Sequence, residues 1–204
     1  LVTNMDRYRA DIFDGSWSRS RFFCLLDHPV RELAGMKMGI VGYGELGQAV
    51  ASVARSFGMD VLVARHDADD DREGRLPLKE LLPQVDVLSL HCPLNEDTRG
   101  MIGEDELVMM KPDAILINTS RGGLVDEAAL LDVLKAGELG GAGLDVLERE
   151  PPAADNPLLH AGLDNLIITP HTAWASRESR QRLVDEVAGN IRAFKAGERR
   201  NIVN

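Results

Sequence analysis

The sequence predicts an α/β protein built on a doubly wound parallel sheet, and three observations support this fold class. From Met36 onward, short apolar runs rich in β-branched residues alternate with helical patterns. The runs are apolar throughout, as strands are when both faces of a parallel sheet are covered. A glycine-rich turn joins the first run to the first helical pattern. This alternation is typical of doubly wound α/β folds.

The predicted elements follow one another in a regular order. Residues 1–13 have apolar side chains at nearly helical spacing, whereas residues 14–34 are irregular and contain several aromatic residues. Six strands follow: "MGIVGYG", "DVLVAR", "VDVLSLH", "AILINTS", "GAGLDVL" and "NLIITPH". Helices are expected at 45–57, 78–82, 126–135 and 175–196, and Asp126 is a typical helix N-cap. We therefore expect an N-terminal helix and arm over residues 1–34, and one domain with a C-terminal helix over residues 35–204.

The composition is that of a globular chain and excludes several classes of function. Of the 204 residues, 44% are hydrophobic and 27% are charged, and the formal net charge is −10. An acidic chain without a basic stripe predicts binding to neither nucleic acid nor an anionic membrane. No apolar run is long enough to span a bilayer. Cys24 and Cys92 form neither a disulfide framework nor a metal-ligand cluster, so we predict no metal site and expect a reducing, cytoplasmic location.

The turn "GYGELG" has the spacing G-x-G-x-x-G, at Gly42, Gly44 and Gly47. In such a turn the first glycine permits the tight bend, and the second lets the backbone approach a pyrophosphate. The third lets the helix pack closely on the strand, and the phosphates face free N–H groups at the helix N-terminus. Because the motif follows a strand and opens a helix, it predicts a Rossmann-type dinucleotide-binding domain rather than a plain turn.

The end of the second predicted strand indicates which dinucleotide is bound. An acidic residue about 20 positions beyond the motif would bind the ribose of NAD. Here Arg65 occupies that place and Asp67 follows it. A cation can bind the 2′-phosphate of NADP instead, so Arg65 favours NADP. In the alternative, Arg65 is a solvated strand end and Asp67 binds the ribose. The surrounding charge run, "RHDADDDREGR", is expected to be a solvated loop.

Four chemically apt side chains follow the ends of later predicted strands. Arg121 comes after "LINTS", Asp145 and Glu150 come after "GAGL", and His171 comes after "NLIITP". Ligands of open α/β sheets bind beyond the carboxyl ends of the strands. There, Arg121 can bind a substrate carboxylate through two parallel hydrogen bonds, and a histidine beside a carboxylate is a common acid–base pair. The alternatives are a surface arginine that caps a loop and a structural histidine.

These motifs together resemble one known family. "GIVGYGELGQAVA", "HCPLNEDTRGMI", "LINTSRGGLVDEAAL", "GLDVLEREPP" and "TPHTAWAS" occur in the order found in the D-isomer-specific 2-hydroxyacid dehydrogenases. The resemblance extends from about residue 14 to residue 204. "FCLLDHPVRELAG" and Trp174 resemble most the glycerate dehydrogenase, or hydroxypyruvate reductase, branch. The resemblance implies an oxidoreductase that transfers a hydride between NAD(P)H and the carbonyl group of a small 2-keto acid.

The resemblance implies three catalytic residues. His171 would protonate the carbonyl oxygen of the substrate as the hydride arrives. Glu150 would orient and charge His171. Arg121 would bind the substrate carboxylate and polarise the carbonyl group.

The resemblance also implies a set of cofactor-binding residues. The backbone around Gly44 would hold the pyrophosphate, Arg65 would border the adenosine ribose, and Asp145 would contact the nicotinamide carboxamide. The complete set comprises Gly42, Gly44, Glu45, Leu46, Gly47, Arg65, Pro93, Thr98, Thr119, Asp145 and Trp174.

Partners and a further domain are implied in the same way. Residues 17–33 resemble the dimerisation arm of the family, which predicts a homodimer. The substrate would be hydroxypyruvate or glyoxylate, reduced to D-glycerate or glycolate. The smaller substrate-binding domain of the family is expected to be largely absent from this chain, which would then bind cofactor but turn over poorly. Two alternatives stay open: a nicotinamide-sensing interaction module of the corepressor type, and a catalytically incompetent fragment.

Overall fold

The computed structural model describes residues 1–65, 70 and 72–203. The chain divides into two compact units, Leu1–Ile168 and Thr169–Asn204. The strands, all in the first unit, are β1 Lys37–Val41, β2 Asp60–Ala64, β3 Arg75–Leu76, β4 Val87–Leu90, β5 Ile115–Asn118, β6 Gly141–Leu144 and β7 Leu166–Ile168. The helices are α1 Met5–Phe13, α2 Ser16–Arg19, α3 Glu45–Ser56, α4 Leu78–Leu81, α5 Glu104–Met109, α6 Glu127–Ala136 and, in the second unit, α7 Arg177–Ala196. Short 3₁₀ turns occur at Leu82–Gln84, Gly122–Leu124 and Pro157–His160.

The seven strands of the described residues form one parallel sheet in the order β3-β2-β1-β4-β5-β6-β7. On the central strand β1, Met38 pairs with Val61 of β2 on one side and with Val87 of β4 on the other. The strand order therefore reverses between β1 and β4. In open α/β sheets, ligands bind outside the carboxyl ends of the strands at such a switch point.

The central strands are covered on both faces, which explains why their sequences are apolar throughout. All four residues of β4 are buried, including Ser89. One large hydrophobic cluster joins Leu88 of β4 and Leu116 of β5 to Leu81 of α4 and Leu130 of α6. Burial of each such leucine side chain contributes about 2 kcal/mol to folding. The sheet and its helices are thus held together mainly by apolar packing.

Side-chain caps fix where two of the helices begin. Asp126 accepts hydrogen bonds from the N–H groups of Ala128 and Ala129, at 2.9 and 3.0 Å, which confirms it as the N-cap of α6. Ser176 accepts a hydrogen bond from the Ser179 N–H and so caps α7 in the second unit. Each cap satisfies N–H groups that have no partner within the helix.

The predicted fold class and its six strands are confirmed, and the structure adds three short elements, β3, α2 and α5. The strand β3 has two residues, α2 has four and α5 has six, so none is long enough for a clear periodic pattern. Helix α2 lies in the segment that was expected to be irregular. The prediction of a solvated loop after β2 is wrong at Asp70. This residue is 7% exposed and pairs with Arg72 and Arg75. The division of the chain after residue 34 stays a prediction.

None of the helices described by the structure is both long and apolar enough to cross a membrane.

A partly buried ion pair lies at the opposite edge of the sheet, where the strands begin. Asp86, just before β4, accepts hydrogen bonds from the Lys37 N–H at 2.7 Å and from Lys111 Nζ at 2.8 Å. Burial alone would raise the pKa of the Asp86 carboxyl, but the hydrogen bonds from Lys111 and Lys37 outweigh burial and lower it. The ionised carboxylate therefore ties the start of β1 to the start of β4 and to the segment before β5.

We predict that Asp86→Asn lowers the free energy of unfolding by about 2 kcal/mol at neutral pH, because charged hydrogen bonds are lost. The folded pKa lies below the unfolded value of about 4, so this contribution is present above that value. It is lost as the pH falls through the lowered pKa. Urea unfolding of both proteins should give a difference that shrinks on acidification. The exposed Asp132→Asn is the control, and a difference independent of pH would contradict the prediction.

Candidate active site

The carboxyl ends of the parallel strands meet at one edge of the sheet. Gly42 follows β1, Arg65 follows β2 and His91 follows β4. Thr119 follows β5 and Asp145 follows β6. Most of the residues predicted to bind cofactor or substrate therefore lie along a single edge of the sheet in the first unit.

Two glycines of the turn after β1 have no room for a side chain. Gly42 has a φ of +90°, and a Cβ there would lie 2.5 Å from the backbone nitrogen of Cys92. A Cβ on Gly47 would overlap the carbonyl oxygen of Gly42. These contacts hold the first turn of α3 against the end of β1 and against the segment after β4.

Gly44 differs from Gly42 and Gly47 because it faces open space. A Cβ on Gly44 would have no heavy atom of the protein within 4 Å, and its φ of −80° is available to any residue. Gly44 is the N-cap of α3, and the exposed residues Glu45 and Leu46 begin the helix beside it. The packing of the protein therefore does not require a glycine here, whereas the close approach of a pyrophosphate does.

Basic side chains border the glycine turn at the end of β2. Arg65 is exposed, and its Nε donates a hydrogen bond to the Arg75 carbonyl oxygen at 3.4 Å. The guanidinium of Arg75 pairs with Asp70 at 3.0 Å and lies 5.8 Å from the centroid of the Tyr43 ring. Asp67, the alternative partner of the ribose, lies outside the described residues. The choice between Arg65 and Asp67 therefore stays open.

Hydrogen bonds within the loop after β4 fix the position of Thr98. Its Oγ1 donates to the Pro93 carbonyl oxygen at 2.8 Å, and its N–H donates to Asn95 Oδ1 at 2.9 Å. Pro93 is exposed and Thr98 is partly exposed. Both residues therefore remain accessible to a ligand on this edge of the sheet.

The partly buried His91 and the buried Cys92 begin this loop, and both favour their uncharged forms. Burial lowers the pKa of His91, whose Nε2 lies 2.9 Å from Ser89 Oγ. Burial also raises the pKa of the Cys92 thiol. His91 is therefore a poor proton donor near neutral pH. Among the residues described by the structure, no three His, Cys, Asp or Glu side chains form a group that could hold a metal ion.

The segment after β5 exposes Thr119 and Arg121 and is shaped by a buried asparagine. Asn118, 1% exposed, donates through Nδ2 to the Arg121 carbonyl oxygen at 2.8 Å and accepts from the Ser120 N–H at 3.0 Å. Ser120 Oγ donates to the Cys92 carbonyl oxygen at 2.7 Å. Asn118 was not predicted from the sequence, although a polar residue at the end of an apolar strand was a visible signal.

The loop after β6 begins at Asp145, which is 5% exposed, and carries Glu150 at the surface. The Leu147 N–H donates to Glu150 Oε1 at 3.0 Å, so the carboxylate turns back onto its own loop. A Cβ on Gly122 would overlap the carbonyl group of Leu147. The segment that carries Arg121 and the loop that carries Glu150 therefore pack against each other, backbone to backbone.

His171 and Trp174 belong to the second unit, and both side chains are exposed. His171 has a φ of +52°, a conformation uncommon for residues other than glycine, and its N–H donates to the Thr169 carbonyl oxygen at 2.9 Å. Backbone conformations of this kind cluster at functional sites. The pairing of His171 with Glu150 and the role of Trp174 stay predictions.

The strand order, the glycine turn and the open space beside Gly44 define the first unit as a dinucleotide-binding domain. A sequence model described as "D-isomer specific 2-hydroxyacid dehydrogenase, NAD binding domain" matches residues 1–173. The chain therefore belongs to the D-isomer specific 2-hydroxyacid dehydrogenase family, as its motifs predict.

Relatives of known sequence and structure agree with this assignment. A glycerate dehydrogenase of Methylorubrum extorquens is 49% identical over 96% of this chain, which spans 62% of that protein. A D-lactate dehydrogenase with NAD+ from Lactobacillus jensenii has a TM-score of 0.84 and 30% identity. The match covers 100% of this chain and 64% of the D-lactate dehydrogenase. An acyclic imino acid reductase in complex with NADPH and D-Arg has a TM-score of 0.81 and 35% identity, and the match covers 96% of this chain and 63% of the reductase. The predicted resemblance to glycerate dehydrogenases is confirmed, and the chain spans less than two thirds of each relative.

We predict that Gly44→Ala changes the free energy of unfolding by less than about 1 kcal/mol but weakens NADH binding at least about tenfold. The added methyl group meets no protein atom, yet it occupies the space that a pyrophosphate needs. Gly47→Ala should instead destabilise the fold, because its methyl group has no room. Urea unfolding and fluorescence titration with NADH separate these effects. Wild-type NADH affinity in Gly44→Ala would contradict the assignment of this space to the cofactor.

Proposed function

We propose that the protein reduces the carbonyl group of a small 2-keto acid with NADPH or NADH, hydroxypyruvate to D-glycerate or glyoxylate to glycolate. The observation that carries this proposal is the open space beside Gly44, at the start of α3. Membership in the dehydrogenase family and 49% identity to a glycerate dehydrogenase support the reaction and the substrate class. The bound nicotinamide supplies the hydride.

In this proposal, residues along the sheet edge bind and orient the cofactor. The free N–H groups at the start of α3, around Glu45 and Leu46, bind the pyrophosphate. Asp145 would contact the carboxamide of the nicotinamide and so help to hold the cofactor. The remaining cofactor contacts come from Gly42, Gly47, Pro93, Thr98, Thr119 and Trp174.

Arg121, Glu150 and His171 act on the substrate. The exposed guanidinium of Arg121 binds the carboxylate through two parallel hydrogen bonds and so holds the adjacent carbonyl group in place. His171 donates a proton to the carbonyl oxygen when the hydride reaches the carbonyl carbon. Glu150 supports this proton transfer, in the role that its motif implies.

Arg65 supports NADPH as the preferred cofactor. Its exposed guanidinium follows β2, where the adenosine ribose of a dinucleotide lies in this fold. A 2′-phosphate there forms charged hydrogen bonds with an arginine, and the ribose of NADH lacks that phosphate.

The exposed apolar side chains of the arm support a homodimer. Phe22, Phe23 and Leu26 are 75%, 91% and 85% exposed. The arm is tied to α1 because Tyr8 Oη donates to the His28 carbonyl oxygen at 2.5 Å and His28 Nε2 lies 2.8 Å from Asp11 Oδ2. A second copy of the chain covers this apolar patch.

The two cysteines support a cytoplasmic location. Cys24 and Cys92 are both free thiols, and free thiols are maintained in reducing compartments.

We predict that His171→Ala lowers kcat for hydroxypyruvate reduction at least about 100-fold, because general acid catalysis is lost. The affinity for NADPH should change less than about twofold. Absorbance assays of NADPH oxidation and fluorescence titration measure the two quantities. His160→Ala, which replaces another exposed histidine, is the control.

Undiminished turnover in His171→Ala would contradict the proposed mechanism. A wild-type chain that binds NADPH yet reduces neither hydroxypyruvate nor glyoxylate would contradict the proposed activity of this chain. It would leave the two alternatives, the nicotinamide-sensing module and the catalytically incompetent fragment.

A further inference from the structure

Glu127, the first residue of α6, binds both ends of the loop that carries Glu150. Its Oε1 accepts a hydrogen bond from the Glu148 N–H at 2.5 Å. Its Oε2 accepts one from Asn156 Nδ2 at 3.2 Å. The two donors lie on either side of Glu150 in the chain, so a single carboxylate closes the loop.

The loop held in this way has its own internal bonds. Glu150 Oε1 accepts from the Leu147 N–H at 3.0 Å, next to the Glu148 N–H that Glu127 binds. At the other end, Asn156 Oδ1 accepts from the Leu158 N–H at 2.9 Å. The position of the Glu150 carboxylate therefore depends on the backbone at Leu147. Glu127 holds the next amide group along that backbone, the one of Glu148.

The start of α6 is itself anchored close to Arg121. The Asp126 N–H donates to the Ile102 carbonyl oxygen at 3.0 Å, and the Leu124 N–H donates to the Arg121 carbonyl oxygen at 3.2 Å. Asp126 uses its carboxylate as the helix cap. Its neighbour Glu127 instead directs its carboxylate to the loop after β6. The backbone of residues 121–127 and the two hydrogen bonds of Glu127 thus connect the Arg121 segment to the Glu150 loop.

We propose that Glu127 is a positioning residue that fixes the Glu150 carboxylate relative to Arg121. This role rests on the proposed function, in which Arg121 binds the substrate and Glu150 supports the proton donor. Glu127 acts through the loop after β6 and does not touch the substrate. A carboxylate suits this task because two acceptor oxygens meet two donors from separate parts of the loop.

The first test measures amide hydrogen exchange in Glu127→Ala and in Glu127→Gln by NMR. In Glu127→Ala, we expect exchange of the Glu148 amide to accelerate about tenfold or more, because its acceptor is removed. We also expect the Leu147 amide to accelerate, because the Glu150 carboxylate leaves its position. Glu127→Gln keeps one acceptor oxygen, so exchange at both amides should lie closer to wild type. The exposed Glu138→Ala is the matched control.

The second test follows reduction of hydroxypyruvate by NADPH in the same variants. Glu127→Ala should lower kcat about tenfold or more while KM for NADPH changes less than about twofold. Glu127→Gln should restore most of kcat. A general loss of fold would lower NADPH affinity as well, and circular dichroism of the Ala and Gln variants checks the fold separately.

Two outcomes would overturn the proposal. In the first, the Leu147 amide keeps its wild-type exchange rate in Glu127→Ala while only the Glu148 amide accelerates. In the second, kcat stays at the wild-type value in Glu127→Ala. If the wild-type chain itself reduces no keto acid, the proposed function fails, whereas the exchange of the Leu147 amide still decides whether Glu127 positions Glu150.

Discussion

Helix α3 can begin directly against the end of β1 because Gly42 and Gly47 carry no side chains. A Cβ on Gly47 would overlap the Gly42 carbonyl oxygen, and a Cβ on Gly42 would press on the backbone of Cys92. This contact places the start of α3 at the switch point of the sheet, between β1 and β4. The free N–H groups of the first helical turn then lie beside Gly44, where the protein leaves open space. Cofactor binding in the proposed function depends on this arrangement.

The parallel sheet brings the other groups to the same edge from distant parts of the sequence. Asn118 is buried and binds the segment that carries Arg121, and Gly122 packs against the loop that carries Glu150. Glu127 then closes that loop. The exposed side chains of Arg121 and Glu150 therefore project from backbone segments that buried contacts and hydrogen bonds hold in place. Groups fixed before the substrate arrives need little reorganisation during the reaction.

The sequence predicted the elements whose signal is local and long enough to repeat. Continuous apolar runs predicted the buried strands, and the glycine spacing predicted the turn. The strand β3 and the helix α5 are too short to show a period. The open space beside Gly44 depends on which atoms pack nearby. The spacing of the glycines in the sequence therefore could not show that Gly44 differs in this way from Gly42 and Gly47. Glu127 was missed because its partners, Glu148 and Asn156, lie in a loop elsewhere in the chain. Asn118 binds its close neighbours Ser120 and Arg121, and a polar residue at the end of an apolar strand was a visible signal for it.

The most direct test of cofactor binding at the start of α3 is an NMR titration of the 15N-labelled chain with NADPH and with NADH. We expect both ligands to shift the amide signals of Glu45 and Leu46 more than those at the opposite edge of the sheet, such as Lys37. We further expect NADPH to bind more tightly and to shift the signal of Arg65 in addition. If the largest shifts lie away from the glycine turn, or if the folded chain binds neither nucleotide, this account of the protein is contradicted.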